Sequence, residues 1–344
     1  MSAMQTMRVR RWTPVSIGAM STLVLVVFLL ALGPAYLGPY FTERLTMLFV
    51  YVILATMWNA LAGYAGLVSI GQQAFFGLGA YAAIRLSHGG MPVYPALVVG
   101  PLLVGLLALA LSPLALRLRG GEFAIGMWVF AELSHLVVNL DGIVQGETGS
   151  SLIALSGIDA GTRRVVDYWL ALGAMTVIVG LVFALLRSRT GAGIRAIRDS
   201  EEAAASVGVR VMATKRLIFV FAAIGCAIAG ALTLSTLISF QPRTYFSVQW
   251  TAYMAFMTLV GGLGSFEGPI IGAVLFFTIE TFFGGSGVWY LVGLGCVALF
   301  FALVLPRGIW GLIVQRWPIE LMPVGYRLDM PTRESHPKAP QDTI

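Results

Sequence analysis

The chain has 344 residues, of which 58% are hydrophobic and 11% charged, with a net charge of +6 and a mean hydropathy of +0.86. Soluble globular chains carry about 25% charged residues, so this composition excludes a secreted enzyme, a nucleic-acid-binding domain and a disordered chain. Leu45–Ile84 and Leu217–Pro242 contain no Asp, Glu, Lys, Arg or His. Because about 20 apolar residues span a bilayer, the chain is predicted to cross a membrane many times.

Turn residues divide the uncharged runs into ten predicted spans. Gly63 and Gly66 split the longest run, since one helix of that length would overshoot a hydrocarbon core about 30 Å thick. The sequence therefore predicts an all-α, polytopic membrane helix bundle that includes short or broken helices. The predicted spans are Ile17–Tyr36, Leu45–Ala62, Leu67–Ile84, Val93–Leu116, Phe123–Leu140, Tyr168–Leu186, Leu217–Ile238, Trp250–Gly264, Gly268–Phe283 and Val288–Leu305.

Basic residues orient these spans. With the N-terminus in the cytoplasm, most of the 22 lysines and arginines lie on the inner side, as the positive-inside rule requires. Residues 1–16 and 306–344 are then cytoplasmic, the latter as a partly disordered tail, and flank a transmembrane domain over 17–305. Within that domain, 187–216 is the main cytoplasmic loop and 141–167 the main external loop.

Two features of this topology have alternatives. Arg8, Arg10 and Arg11 precede the first apolar stretch, which is compatible with an uncleaved anchor or with a signal peptide. Residues 250–283 form either two short spans or a re-entrant hairpin. The remaining topology is the same in each case.

Neither of the two lysines lies in a nucleotide-binding loop. A P-loop needs Gly-Lys before Ser or Thr, whereas Lys215 follows Thr214 and Lys338 follows Pro337. If ATP drives any process in which this chain takes part, another polypeptide hydrolyses it. The two cysteines and three histidines are scattered, so no metal site or other cofactor is predicted.

The cytoplasmic loop contains signals for a short helix. Asp199 or Ser200 can cap its start, with Glu202 three residues after Asp199 in the capping-box position. The alanines at 203–205 favour helix, and Gly208 suits the left-handed position after its end. The expected helix presents small residues and serves either as a docking element for a partner or as a solvated linker.

Two glycine-rich segments lie at membrane depth. Gly264, Gly268 and Gly272 recur every four residues, which predicts one helix face open to close packing. The earlier segment, 66–79, mixes glycine with polar side chains, and such a broken segment either lines a wet path or packs tightly. The candidate residues for path lining or close packing are Gly66, Ser69, Gly71, Gln72, Gln73, Phe75, Gly77, Gly79, Gly264, Gly268 and Gly272.

Glu132, His135 and Glu280 are ionisable residues within predicted spans, where charges are usually paired or functional. Glu132 and His135 are three residues apart and can touch on one helix face. They are expected to form a structural pair, with a proton relay as the alternative.

Glu202-Ala203-Ala204 followed by Gly208 resembles the EAA–Gly signature of the permeases of bacterial ABC importers. The segments Gly63–Tyr81, Arg195–Val209 and Leu259–Gly272 are similar to the leucine/isoleucine/valine importer permeases, in particular to the longer, M-type subunit. The resemblance covers about Leu45 to Leu305. One departure is Gln72-Gln73, where relatives commonly carry His.

The resemblance implies a non-catalytic, multi-pass subunit of the bacterial inner membrane that moves branched-chain or related amino acids. Its implied partners are a second permease subunit, two ATPase subunits, an extracytoplasmic solute-binding protein and membrane lipid, with no nucleic acid. The implied ATPase-coupling helix comprises Ser200, Glu201, Glu202, Ala203, Ala204 and Gly208. Alternatives are a permease of the same superfamily for urea, amides or sugars, and a proton-coupled secondary transporter.

Overall fold

The computed structural model describes residues 8–10, 14–144, 146–155, 157–317, 321–322, 324 and 327–329. Over these residues the protein is a bundle of α-helices with two short antiparallel strand pairs. The helices are α1 (Pro14–Ala31), α2 (Gly33–Tyr36), α3 (Pro39–Trp58), α4 (Gln72–His88), α5 (Val93–Ala115), α6 (Gly121–Asn139), α7 (Ala160–Arg187), α8 (Arg189–Asp199), α9 (Glu201–Ser206), α10 (Val211–Leu237), α11 (Pro242–Tyr245), α12 (Val248–Gly261), α13 (Gly268–Phe283), α14 (Val288–Val304) and α15 (Gly308–Arg316). The paired strands are β1 (Arg8–Arg10) with β4 (Arg327–Asp329), and β2 (Ser150–Ser151) with β3 (Ser239–Phe240).

Each of the ten predicted spans overlaps at least one of these helices, and the first overlaps both α1 and α2. Seven helices of the described chain are long and apolar enough to cross a bilayer, or eight if α14 and α15, bent by 42°, form one broken span. Helices α4 and α12 are shorter, with 17 and 14 residues. The prediction of an all-α polytopic bundle with short or broken helices is therefore confirmed.

Several helix ends follow from local sequence. Helices α3 and α13 both have proline in the first turn, where its missing N–H costs nothing. Helix α7 begins after Asp159, whose carboxylate accepts a hydrogen bond from Thr162 N at 3.0 Å. The first predicted span ends earlier than expected, at Ala31, and is followed by the separate helix α2.

The centre of the bundle is formed by α3 and α10, with α4 and α5 packed against α10. Helix α3 continues without a break into a π-helical turn, Asn59–Tyr64, which is entirely buried. Helices α1 and α14 lie at the periphery and expose apolar side chains, as expected of surfaces that face lipid acyl chains.

Loops predicted to lie on the same side of the membrane contact one another. On the predicted external side, Arg164 bonds Glu43 at 2.7 Å and Arg85 bonds Asp141 at 3.1 Å. On the predicted cytoplasmic side, β1 pairs with β4. The sides themselves stay predictions. Most of the segment 1–16 and of the tail 306–344, including the part predicted to be disordered, lies outside the described residues.

Candidate functional site

The third predicted span is broken. Residues 66–71 are not helical, and α4 begins at Gln72 rather than at Leu67 because Gly66 turns the chain with φ +70°. The side chains of Val68 and Ile70 are 48% and 40% exposed, whereas Ser69 between them is buried. An extended, partly exposed segment therefore precedes the helical half of the span.

Ser69 holds this extended segment against the bundle. The Trp58 indole donates to the Ser69 carbonyl at 3.1 Å, and the Ser69 hydroxyl accepts from Gly71 N at 3.2 Å. These bonds satisfy backbone groups that the missing helix would otherwise have paired. At Ser69 the non-helical backbone is thus supported by protein.

The two glutamines at the start of α4 face inward. Gln73 is hydrogen-bonded to Thr251 of α12 through both its backbone N–H, at 3.3 Å, and its side chain. Cys226 of α10 donates to Gln72 Oε1 at 3.6 Å, while Gln72 Nε2 is buried without a hydrogen-bond partner among the described residues. Both glutamines are therefore directed into the bundle and not towards the exposed side of the segment.

The remaining candidates in this segment form close contacts. A Cβ atom at Gly71 would collide with the backbone of Met127, and one at Gly79 with the backbone of Ala227. Gly77 faces the ring of Phe246. Phe75 is buried and packs edge-on against Phe219, with ring centroids 5.6 Å apart. The three glycines therefore allow this segment to approach its neighbours closely, and Phe75 packs against α10.

The second glycine-rich segment differs from its predicted form. Gly264 lies in the turn between α12 and α13, with φ +75°, so it does not share a helix face with Gly268 and Gly272. That prediction was wrong because the helix starts only at Gly268, beside Pro269. Gly268 and Gly272 do pack closely: added Cβ atoms would meet the backbone of Gly262 and of Met257, respectively.

An amide that the sequence pattern did not single out fastens this turn. Asn59, buried in the π-helical turn, donates to the Ser265 carbonyl at 2.8 Å and accepts from Gly264 N at 2.8 Å. The available signal was a lone amide within a long apolar run, which is costly unless hydrogen-bonded. The end of the second span and the α12–α13 turn are thus joined.

The short helix predicted in the loop 187–216 is present as α9. Ser200, not Asp199, is its N-cap and accepts from Ala203 N at 3.2 Å, so the capping box predicted for Asp199 and Glu202 is not formed. Asp199 instead ends α8. After α9, Gly208 has φ +85° and donates to the Ala205 carbonyl at 3.0 Å, as a left-handed helix terminator does.

The helix α9 was predicted to present its small residues, but not all of them are exposed. Ala204 is only 1% exposed and faces the rest of the protein, whereas Ala203 and Ala205 are exposed. Glu201 pairs with Lys215 at the start of α10, while Glu202 points outward. The helix is therefore attached along one side and free along the other.

The ionisable residues within the spans have polar partners. His135 lies 3.5 Å from Glu132 and 3.0 Å from Glu147, the latter in the loop that follows α6. The hydroxyl of Tyr51 donates to Glu280 at 2.8 Å. The Glu132–His135 contact lies within α6, whereas the contacts of His135 with Glu147 and of Tyr51 with Glu280 connect different elements. Among the described residues, no three His, Cys, Asp or Glu side chains are grouped to hold a metal ion.

The loop predicted to be external is fixed at Asp141. Hydrogen bonds from the Tyr81 hydroxyl at 2.6 Å and from Ile143 N at 3.1 Å lower the pKa of this carboxyl group, and Arg85 adds its positive charge. Bonds that favour the charged form stabilise the folded loop at neutral pH.

A multi-pass helical bundle with a broken, partly exposed span is typical of membrane transport proteins. The family model described as "Branched-chain amino acid transport system / permease component" matches residues 40–305. The chain belongs to this family and is a multi-pass permease of the bacterial inner membrane.

Relatives with known roles include the high-affinity branched-chain amino acid transport system permease protein LivM of Escherichia coli, which is 25% identical over 316 residues, or 83% of this chain and 74% of that protein. LivM of Salmonella typhimurium is 26% identical over 322 residues, covering 84% and 76%. The L-arabinose transport system permease protein AraH of Escherichia coli is 34% identical over 121 residues, covering 33% and 37%. No solved structure matches the chain.

Proposed function

We propose that the chain is the membrane-spanning permease subunit of an ATP-driven importer for branched-chain or related amino acids. The observation that carries this proposal is the family match over residues 40–305, supported by LivM relatives aligned over most of the chain. The sequence contains no P-loop, so ATP hydrolysis is assigned to two separate ATPase subunits.

The solute path is proposed to run along the exposed side of residues 66–71. Non-helical backbone is tolerated at membrane depth only where it is buried in protein or lines a water-filled cavity. Gly66, Val68 and Ile70 of this non-helical segment are exposed. Lipid would suit the Val and Ile side chains, but it offers no hydrogen bonds to unpaired backbone groups and is therefore an unsuitable neighbour for the segment. A second permease subunit that faces it across a wet path satisfies the requirement.

Helix α9 is proposed to dock into an ATPase subunit. Its attachment through Ala204 and Glu201 leaves Ala203 and Val207 exposed, and small or apolar side chains on a short helix suit a groove in a partner.

An extracytoplasmic solute-binding protein is proposed to dock on the opposite side, near 141–167. That protein is proposed to supply most of the selectivity.

Reconstitution of the complex in liposomes tests the proposal. The chain is co-purified with its sibling permease, ATPase and binding-protein subunits, and uptake of labelled leucine, isoleucine, valine, L-arabinose and urea is measured. We expect uptake of branched-chain amino acids that requires ATP and the binding protein and that ignores a protonophore. ATPase subunits that lack their phosphate-binding lysine provide the control.

Other outcomes have definite meanings. ATP-dependent uptake of arabinose or urea alone would refute the amino-acid substrate and retain the importer; the partial match to AraH is the reason to include the sugar. Uptake that follows the proton gradient without ATP would refute the importer itself.

A further inference from the structure

One arginine of the cytoplasmic loop reaches the inner end of the second span. Arg198, in the last turn of α8, donates from Nη1 to the Gly63 carbonyl at 2.6 Å. Gly63 belongs to the π-helical turn that ends this span, where the last carbonyls have no partners within the helix. A cation at this end gains from a charge-assisted hydrogen bond and from the helix dipole.

Two glycines lie beside Arg198, and one of them, Gly264, leaves room that a larger residue would take from its side chain. A Cβ atom at Gly264 would lie 2.6 Å from Arg198 Nη1, and one at Gly66 would lie 3.6 Å from Arg198 Cα. Both glycines have positive φ, +75° and +70° respectively, so their backbone conformations also favour glycine. Arg198 thus lies where the π-helical turn, the α12–α13 turn and the start of the extended segment meet.

These three elements are already connected to one another. Asn59 bonds the backbone of Gly264 and of Ser265, and Gly66 is the first residue of the extended segment. On the other side, only Ser200 separates α8 from α9. A continuous chain of short contacts therefore runs from α9, through Arg198, to the broken span.

We infer that Arg198 is a positioning residue that transmits movement of α8 and α9 to the extended segment and to the α12–α13 turn. The inference rests on the proposed function, because it assigns the route by which the ATPase subunits act on the path. Arg198 contacts neither the solute nor ATP in this role. Arg198 only connects α8 and α9 to the broken span. Without it, we expect ATP hydrolysis to continue with less solute transported.

The test measures solute molecules imported per ATP hydrolysed in the reconstituted complex. We expect Arg198→Ala to reduce this ratio by about 5- to 150-fold, the usual range of coupling between two sites. Arg198→Lys retains one charged donor and is expected to recover part of the ratio. Arg189→Ala, which removes an exposed arginine from the same helix, is the matched control and is expected to match the unmodified complex.

A second substitution distinguishes coupling through this contact from a general loss of stability. Gly264→Ala places a methyl group in the space of the guanidinium group. If the contact transmits movement, Gly264→Ala lowers the ratio in the Arg198 background and lowers it much less when combined with Arg198→Ala, since the backbone strain is the same in both. Additive losses would refute the inference.

Accessibility provides a readout that is independent of uptake. In a Val68→Cys background, we expect nucleotide binding to change the rate of thiol labelling, and Arg198→Ala to abolish that change.

If Arg198→Ala does not assemble, Arg198→Lys and Gly264→Ala decide the question. Absence of ATP-dependent uptake by the unmodified complex would refute the proposed function; full coupling in Arg198→Ala with normal unmodified uptake would refute this inference alone.

Discussion

The ion pair between Glu201 and Lys215 fixes the proposed coupling helix to α10. The side chain of Lys215 is 5% exposed and that of Glu201 is 41% exposed. Glu201→Gln removes the carboxylate charge and leaves a nearly buried ammonium group without its counter-ion. Removing one partner of a buried pair costs about 3–5 kcal/mol and of a surface pair about 0–1 kcal/mol, so this half-buried pair is expected to contribute about 1–3 kcal/mol.

The loss is expected to appear locally, as opening of α9. Backbone hydrogen exchange measures it at Ala204 and Val209, whose N–H groups donate to the carbonyls of Ser200 and Ala204 at 3.0 Å each. A cost of about 1–3 kcal/mol corresponds to exchange about 5- to 150-fold faster. We also expect weaker stimulation of ATP hydrolysis by the loaded binding protein, because α9 no longer holds a fixed position.

The neighbouring glutamate provides a matched control. Glu202→Gln changes the net charge by the same amount at the same end of α9, but its side chain is exposed. It is expected to leave hydrogen exchange at Ala204 unchanged. Equal exchange rates in both variants, or no change at Ala204 in Glu201→Gln, would contradict the assignment of the ion pair as the fastening of α9.

Three further variants test other parts of the molecule. Gly79→Leu forces a side chain against neighbouring backbone, which is expected to cost at least about 1–3 kcal/mol and to lower the unfolding temperature in detergent. Gly173→Leu is the control: Gly173 lies in open surroundings, so the unfolding temperature is expected to stay the same. Glu132→Gln is expected to leave uptake dependent on ATP; sensitivity to a protonophore at constant ATP would favour a proton-coupled carrier. The Tyr81 hydrogen bond lowers the pKa of Asp141, so its stabilising effect is present above the ordinary carboxyl pKa and lost as the pH falls through the lowered one. The difference in unfolding temperature between the unmodified protein and Asp141→Asn is therefore expected to be full at pH 7 and to shrink as the pH falls below the ordinary carboxyl pKa of about 3.9.

The spans could be predicted from the sequence because bilayer thickness fixes the length of an apolar helix. Turn chemistry predicted the ends of helices wherever one residue dominates, as at the start of α13 (Gly268-Pro269) and after α9 (Gly208). Ser200 and Asp199 were equivalent as caps on sequence alone. Only the end of α8 at Asp199 decides between them, and that end depends on packing against α7 and α10.

The direction in which side chains point could not be predicted in the same way. In a membrane bundle the face towards lipid and the face towards protein are both apolar, so periodicity does not separate them. For this reason the sequence did not show that Gln72 and Gln73 point inward while Val68 and Ile70 are exposed. The contact of Arg198 with Gly63 joins residues 135 positions apart, and no local pattern reports such a distance.

The inward direction of the glutamines bears on how a path along residues 66–71 would work. Gln73 is bonded to Thr251, so its amide stabilises the break in the span and is not available to a passing solute. The side chains that the segment does expose, Val68 and Ile70, offer no hydrogen bonds to an ammonium or carboxylate group. A wall of this kind binds a zwitterion weakly, and weak binding favours release after passage. Such a path requires delivery by a selective binding protein and movement of the wall driven from the cytoplasmic side, which are the two roles that the proposed partners supply.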